Sequence, residues 1–152
     1  MNEPATSDGA HPESDGRPGF SVVQRVRFGD LDAMQHMNNV EYLRFFETAR
    51  IDYMRTLMPD HAPTARRRFG FIFAECHIAY RSPAFFDEDI RTFIRPSELK
   101  RSSLRLDFEM RSEADGRRIA DGYGVLVGYD YERGEPQPIP PELRERVEPA
   151  LT

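Results

Sequence analysis

The sequence lacks what would tie it to a membrane, a disulfide scaffold or a nucleic acid. Its single cysteine, Cys76, excludes an intramolecular disulfide and suits a reducing cytoplasm. No apolar run approaches the ~20 residues that a membrane-spanning helix requires. The first residues are polar and lack the basic-then-apolar order of a secretion signal, so none is expected. Basic residues number 21 against 26 acidic ones, a formal net charge of −5, whereas a dedicated nucleic-acid binder carries a basic face. Repeats and long low-complexity inserts are also missing. What remains is 152 residues, the size of one domain and large enough to hold a core without a disulfide or metal staple.

Residues 1–18 are Gly, Pro, Ser, Asp and Glu with almost nothing to bury, and read as a disordered tail. That leaves 19–152 as a single domain. Strand signals dominate it. Over 72–80, Ile72, Ala74, Cys76, Ile78 and Tyr80 alternate with Glu75 and His77, which places Cys76 in the core and His77 in solvent. Leu104, Leu106, Phe108 and Met110 alternate with charged residues, and Asp115-Gly116 signals a hairpin into a return strand over 117–129. On that return strand Gly122, Gly124 and Gly128 share one side, the mark of a close approach by a backbone or a ligand. Further strands are expected over 20–26 and 90–94. Residues 39–57 hold no Gly or Pro and read at helical period, with Tyr42, Leu43, Phe46, Ala49, Tyr53 and Leu57 on one face. Asn38 is placed to cap this helix, with Glu41 in capping-box register, and Pro59 to end it. A short terminal helix is expected from Pro141. One helix among antiparallel strands indicates an α+β fold with the helix on one face of the sheet.

The stretch between the first strand and the helix gathers Asp30, Asp32, His36, Asn38 and Asn39 at a helix N-terminus. Such a terminus presents unpaired N–H groups and a partial positive charge, which can stabilise an oxyanion. A carboxylate beside it can act as base or nucleophile, so acyl transfer is the natural chemistry.

The run Asp30-Leu-Asp32-Ala-Met-Gln-His36-Met-Asn-Asn39-Val-Glu-Tyr42-Leu-Arg-Phe-Phe-Glu47-Thr-Ala-Arg50 resembles the motif of hotdog-fold acyl-CoA thioesterases of the 4-hydroxybenzoyl-CoA thioesterase type. The Arg81-Ser82-Pro83 turn, the strand within 98–110 and the Pro138-Ile139-Pro140 ending are also similar, so the likeness spans about 21–147. It implies a long helix wrapped by a curved antiparallel sheet of about five strands. It implies hydrolysis of an acyl thioester to a carboxylate and a thiol, with Asp32 catalytic and the Asn39 backbone N–H polarising the carbonyl. His36 and Asn38 take places that line the site. Family sites form between subunits, which implies a homodimer or homotetramer. No cofactor is implied beyond the CoA of the substrate. Many relatives have Gly where this chain has Gln35. The Gln-His-x-Asn-Asn form resembles plant-type acyl-ACP thioesterases, yet those carry Asn at the place of Met34, so CoA and acyl carrier protein both stay open as carriers.

Each residue also has a plainer reading. Asp32 can cap a turn; an ordinary Asp, with a pKa of ~3.9, is a weak base unless burial raises it. Asp30 is read as holding the loop, and Asn38 first as a cap. His36 can orient Asp32, contact substrate or bond the loop. Glu47 is either solvated or a substrate-pocket group paired with Arg50. Asp30, Asp32 and His36 match no standard zinc or calcium spacing, so no metal is expected. Phe45, Phe46, Tyr53, Phe71 and Phe73 fit either an acyl pocket or a core. Arg66-Arg67-Arg68 and Lys100-Arg101, the latter with Ser102 and Ser103, are candidate contacts for CoA phosphates. The rival function is a non-catalytic acyl-CoA-binding protein on the same fold, and a second rival is a hydratase; neither the DNA-binding helix pair of such sensors nor the hydratase Asp/His pattern is found.

Overall fold

A computed structural model describes residues 11–12, 18–61 and 70–151. The unbroken helical stretch forms α1, Asn39–Leu57, and the proline-initiated 3-10 turn Pro59–His61 follows it. The buried face of α1 is Tyr42, Phe45, Phe46, Ala49 and Tyr53, spaced three, four and seven apart. Leu43, expected on this face, is exposed instead. It sits about 100° around the helix from Tyr42, and Phe45 takes the buried place.

Five long antiparallel strands carry the sheet: β2, Pro18–Arg25; β3, Phe71–Tyr80; β4, Asp89–Leu99; β5, Ser103–Ser112; and β6, Arg118–Asp130. They lie in the order β2-β4-β5-β6-β3. Two-residue pieces, β1 (His11–Pro12) on β2 and β7 (Glu135–Pro136) on β6, bring the sheet to seven strands. The tail expected over 1–18 otherwise lies outside the described residues. A terminal helix α2, Pro141–Val147, adds Leu143 and Val147 to the core. The sheet closes on α1 through aromatic contacts. Phe46 of the helix stacks on Phe108 of β5 at 4.3 Å between ring centroids and meets Phe73 of β3 at 6.0 Å. This is the α+β hotdog arrangement that the resemblance implied. Among the described residues no helix is long and apolar enough to cross a membrane.

The glycine side of β6 is the side that faces α1. A Cβ on Gly124 would lie 2.4 Å from Phe73 and 2.8 Å from Phe46. A Cβ on Gly122 would lie 1.9 Å from the His77 carbonyl oxygen of the paired strand. The close approach is therefore made by two aromatic rings, Phe73 of β3 and Phe46 of the helix, and by the neighbouring backbone.

The alternation expected along β3 holds only in its second half. A bulge between Phe73 and Glu75 shifts the register against β6, so Phe71 and Phe73 face the helix side in place of Ile72 and Ala74. Among the described strands β3 is also an edge strand, paired only with β6, and residues 73–77 are all exposed. Cys76, expected in the core, faces the helix side but is exposed for this reason. Burial still pushes its thiol up, against the opposing charge of Arg50. His77 is exposed on the opposite side, as expected, with its ring stacked on Tyr123 at 5.7 Å.

The turn after β3 is pinned to β6. Arg81 donates two hydrogen bonds to Asp121, at 2.8 and 3.1 Å, and the Arg81 and Ser82 N–H groups donate to the Ile119 carbonyl. The hydrogen bonds from Arg81 hold the Asp121 carboxyl below the usual carboxylate range, and the charges of Arg81, Arg118 and His77 act in the same direction. A depressed folded pKa contributes stability that is complete above the unfolded value of ~3.9 and is lost as pH falls through the folded value. Asp121→Asn has no such contribution to lose. Urea unfolding at pH 7 and pH 3 is expected to show the variant less stable than the parent at pH 7, with the gap closing at pH 3.

Candidate active site

The residues between β2 and α1 fold into a loop held by its own backbone. A 3-10 turn, Phe28–Asp30, opens it. The Asp30 carboxylate accepts from the Arg27 N–H at 2.8 Å, and the Asp30 carbonyl accepts from the Asn38 N–H at 2.8 Å. Asp30 thus holds the loop, as its plainer reading has it. A bridge between Leu31 and Met37 brings the two limbs together, and the Asp32 N–H donates to the His36 carbonyl at 3.0 Å. The Gln35 N–H returns to the Asp32 carbonyl at 3.0 Å, closing a tight turn over residues 32–35.

Asp32 is exposed at the head of that turn. Its Oδ1 accepts from the Met34 N–H at 2.8 Å, and its Oδ2 takes no hydrogen bond from the described residues. His36 is half-buried, with its ring edge-on to Phe85 at 5.4 Å. Its part in the loop is its carbonyl; among the described residues no hydrogen bond joins its ring to Asp32.

Asn38 caps α1 through Oδ1, which accepts from the Val40 N–H at 3.0 Å, while its carbonyl accepts from the Glu41 N–H at 2.9 Å. The reciprocal half of the expected capping box is absent, because the Asn38 N–H is already given to Asp30. Glu41 instead lies 3.6 Å from Arg44. Among the described residues nothing accepts from the Asn39 N–H, the first donor of the helix, for which the helix itself has no acceptor. The Asn39 carbonyl accepts from the Tyr80 hydroxyl at 3.0 Å, so the end of β3 is fastened to the start of α1.

The other candidate residues lie elsewhere. Glu47 is exposed and lies 3.8 Å from Arg50, the partner its spacing suggested. With Gln24, Arg27, Asp30 and Glu41 it lines a cavity of about 490 Å³ whose lining does not include Asp32, His36 or Asn39. Arg50 is mostly buried, its guanidinium 4.2 Å from the centre of the Phe73 ring, and burial lowers its pKa. That cation–aromatic contact had no sequence signal, since it needs the bulge that turns Phe73 inward. Phe45, Phe46 and Tyr53 are core residues, Phe71 is half-buried and Phe73 is exposed.

Lys100, Arg101 and Ser102 form the turn between β4 and β5. Lys100 Nζ lies 3.3 Å from Glu98 Oε1, and the Arg101 carbonyl accepts from the Ile139 N–H. β4 begins beside the Asp32 loop, where the Val26 N–H donates to the Glu88 carbonyl, and runs 11 residues to Leu99. At ~3.3 Å per residue, about 30 Å separates the two ends of the strand. Within one chain, therefore, the 100–102 turn and Asp32 stand at opposite ends of the sheet. Arg66, Arg67 and Arg68 lie outside the described residues.

Gln35 has φ +63°, in the left-handed region that favours glycine. This accounts for the departure noted at that position: the turn demands the conformation, and here glutamine adopts it. Gln35→Gly is expected to leave the stability unchanged or raise it by up to about 1 kcal/mol, and Gln35→Val to lower it. Thermal unfolding of the two variants checks the sign.

With this geometry in place, comparisons with known proteins agree among themselves. The family model described as the thioesterase-like superfamily matches residues 26–147. The long-chain acyl-CoA thioesterase FadM of Escherichia coli is 30% identical over 124 residues, covering 82% of this chain and 93% of that protein. The acyl-CoA thioesterase YbgC of Haemophilus influenzae is 27% identical, with 83% and 92% covered. Among solved structures, a Thermus thermophilus thioesterase complexed with coenzyme A and zinc superposes with a TM-score of 0.71 at 31% identity, over 86% of this chain and 92% of that one. From the Asp32 loop through α1 to the end of α2, this chain belongs to the thioesterase-like superfamily.

Proposed function

We propose that the protein hydrolyses acyl-CoA thioesters, releasing a carboxylate and the CoA thiol. The observation that carries this reading is the Asn39 N–H, left without an acceptor at the head of α1, one hydrogen-bonded loop away from the open Oδ2 of Asp32. The names of FadM and YbgC, and the coenzyme A bound in the Thermus relative, support CoA as the carrier. The thioester oxygen rests against the Asn39 N–H and the positive end of the helix, which stabilise it as charge develops. Asp32 either takes the proton of an attacking water, which later passes to the thiolate as the C–S bond breaks, or attacks the carbonyl itself, breaking the C–S bond to expel the CoA thiolate and leaving an anhydride that water then opens. His36 and Asn38 line the site, and the loop held by Asp30 sets their positions. The chemistry needs no metal or redox cofactor. The lone Cys76 suits a reducing cytoplasm, where the reaction is placed.

Two copies complete the site. The unpaired edge of β3, exposed over 73–77, supports a homodimer joined edge to edge. Antiparallel pairing of two β3 edges sets the far end of one sheet beside the near end of the other. Lys100, Arg101 and Ser102 of a second copy then approach the Asp32 end of the first, where they serve the CoA phosphates. The same approach removes Asp32 from bulk water.

Asp32→Asn retains an oxygen for the Met34 N–H, so the fold is expected to survive. Thiol release from a panel of acyl-CoA and acyl carrier protein thioesters should fall at least about a hundredfold in kcat with an unchanged melting temperature. Light scattering should give a mass of twice 17.6 kDa. Undiminished turnover in the variant would remove Asp32 from the mechanism.

A further inference from the structure

Between β3 and β4 the chain runs through residues 81–88, and the Asp32 loop leans on this segment with both limbs. On the entry limb, the Val26 N–H donates to the Glu88 carbonyl at 2.9 Å and the Asp87 N–H to the Val26 carbonyl at 3.0 Å. On the exit limb, the Met37 N–H donates to the Ala84 carbonyl at 2.8 Å. The peptide that joins His36 to Met37 is thereby held on both sides, since its carbonyl accepts from the Asp32 N–H at 3.0 Å. Two hydrogen bonds and one rigid peptide plane therefore connect the Asp32 backbone to Ala84.

The supporting segment does not hold its shape by local preference. Asp87 has φ +66°, in the left-handed region that residues with a Cβ seldom adopt. Its shape is fixed from outside by Arg117, which lies between the Asp115-Gly116 turn and β6. Arg117 Nη2 donates to the Pro83 carbonyl at 3.1 Å and to Glu88 Oε1 at 2.6 Å, and its Nε donates to Ser82 Oγ at 3.2 Å. One guanidinium thus grips both ends of the stretch from Ser82 to Glu88. Glu88 closes the middle, because its Oε2 accepts from the Phe85 N–H at 2.9 Å. Arg117 is itself anchored: Nη1 donates to Asp115 Oδ2 at 2.7 Å, and its backbone carbonyl accepts from the Ser112 N–H at 2.9 Å. A planar fork of donors can reach all these groups at once, whereas a lysine brings a single nitrogen.

We infer that Arg117 is a positioning residue for the reaction: by holding residues 82–88 it fixes the peptide between His36 and Met37, and through that peptide the direction of the Asp32 turn. The inference rests on the thioesterase reading and goes beyond it. Arg117 stands far from the Asp32 loop in the chain, and its Nε, Nη1 and Nη2 are all bonded to the protein. It therefore acts on the chemistry only through the segment it holds. A carboxylate displaced by about 1 Å loses its line to the attacking water or the thioester carbon, and that loss falls on kcat.

The test compares thiol release from a panel of acyl-CoA esters by the parent, Arg117→Met, Arg117→Lys and Arg91→Met, well below each melting temperature. Arg117→Met keeps the apolar stem and loses every donor. Its kcat is expected to fall at least about tenfold, with KM changed by less than about twofold. Arg117→Lys should fall between parent and methionine variant, and is read in the same way if the latter does not fold. Arg91 of β4, bonded to Glu113 and Ser21, controls for the loss of an ion pair. Arg91→Met is expected to lower the melting temperature and keep kcat. Amide hydrogen exchange, followed by NMR, reads the turn directly: the Asp32 and Met37 N–H groups should exchange faster in Arg117→Met and at the parent rate in Arg91→Met. An unchanged kcat in Arg117→Met overturns the inference, as does an equal loss in Arg91→Met or unchanged exchange at Asp32 and Met37. If the parent releases no thiol from any substrate, the thioesterase reading fails. The exchange rates then decide by themselves whether Arg117 holds the turn.

Discussion

Asp30 clamps the two ends of the loop that carries Asp32. Its carboxylate takes the N–H of Arg27 where the chain leaves β2, and its carbonyl takes the N–H of Asn38 where the chain enters α1. Without that clamp the ten-odd residues between strand and helix would have to order against their own entropy, at roughly 1–2 kcal/mol each. With it, the chain leaves the strand, makes one tight turn and arrives at the helix with the first N–H pointing out of the hydrogen-bonded framework. The clamp also explains why the capping box fails: the donor that Glu41 would have satisfied is already used.

The rest of the molecule holds this loop against the end of the sheet. Tyr80 fastens β3 to the Asn39 carbonyl, Ala84 accepts from Met37, and Arg81 with Asp121 keeps the intervening turn on β6. Underneath, the helix is set at its depth by Phe46, which stacks on Phe108 and, together with Phe73, leaves no room for a Cβ at Gly124. Burying one such phenylalanine is worth about 1.5–3 kcal/mol. A shift of that ring would move the whole helix, and with it the N–H at its start. Scaffold and site are thus one mechanical unit.

Much of this was legible in the residues. α1 is marked by 19 positions without Gly or Pro, a capping Asn38 before them and Pro59 after them, so its limits agree with expectation. The five long strands are legible from alternation and from turn residues such as Asp115-Gly116, where Gly116 takes φ +72°. The readings that failed share a cause. Cys76 and Leu43 are apolar enough for a core, but burial depends on what packs opposite: no described strand pairs the outer edge of β3, and Leu43 points away from the buried face of α1. The bulge at 73–75 inverts which residues face the helix, and no period-two pattern can announce an extra residue.

The sequence by itself determined the local elements and the chemical inventory of the site, because helix limits, turn types and side-chain functional groups depend on residues a few positions apart. Only the tertiary structure decided how that inventory is used. Asp30 became a clamp and left Asp32 open; Glu47 went to a different cavity; the 100–102 turn fell at the far end of the sheet; and Phe28 met Phe86 across two loops that are almost sixty residues apart in the chain. Each of these is a matter of which distant backbone donor or ring arrives first. That is settled by the register of the sheet and the depth of the helix, quantities that no short stretch of sequence contains.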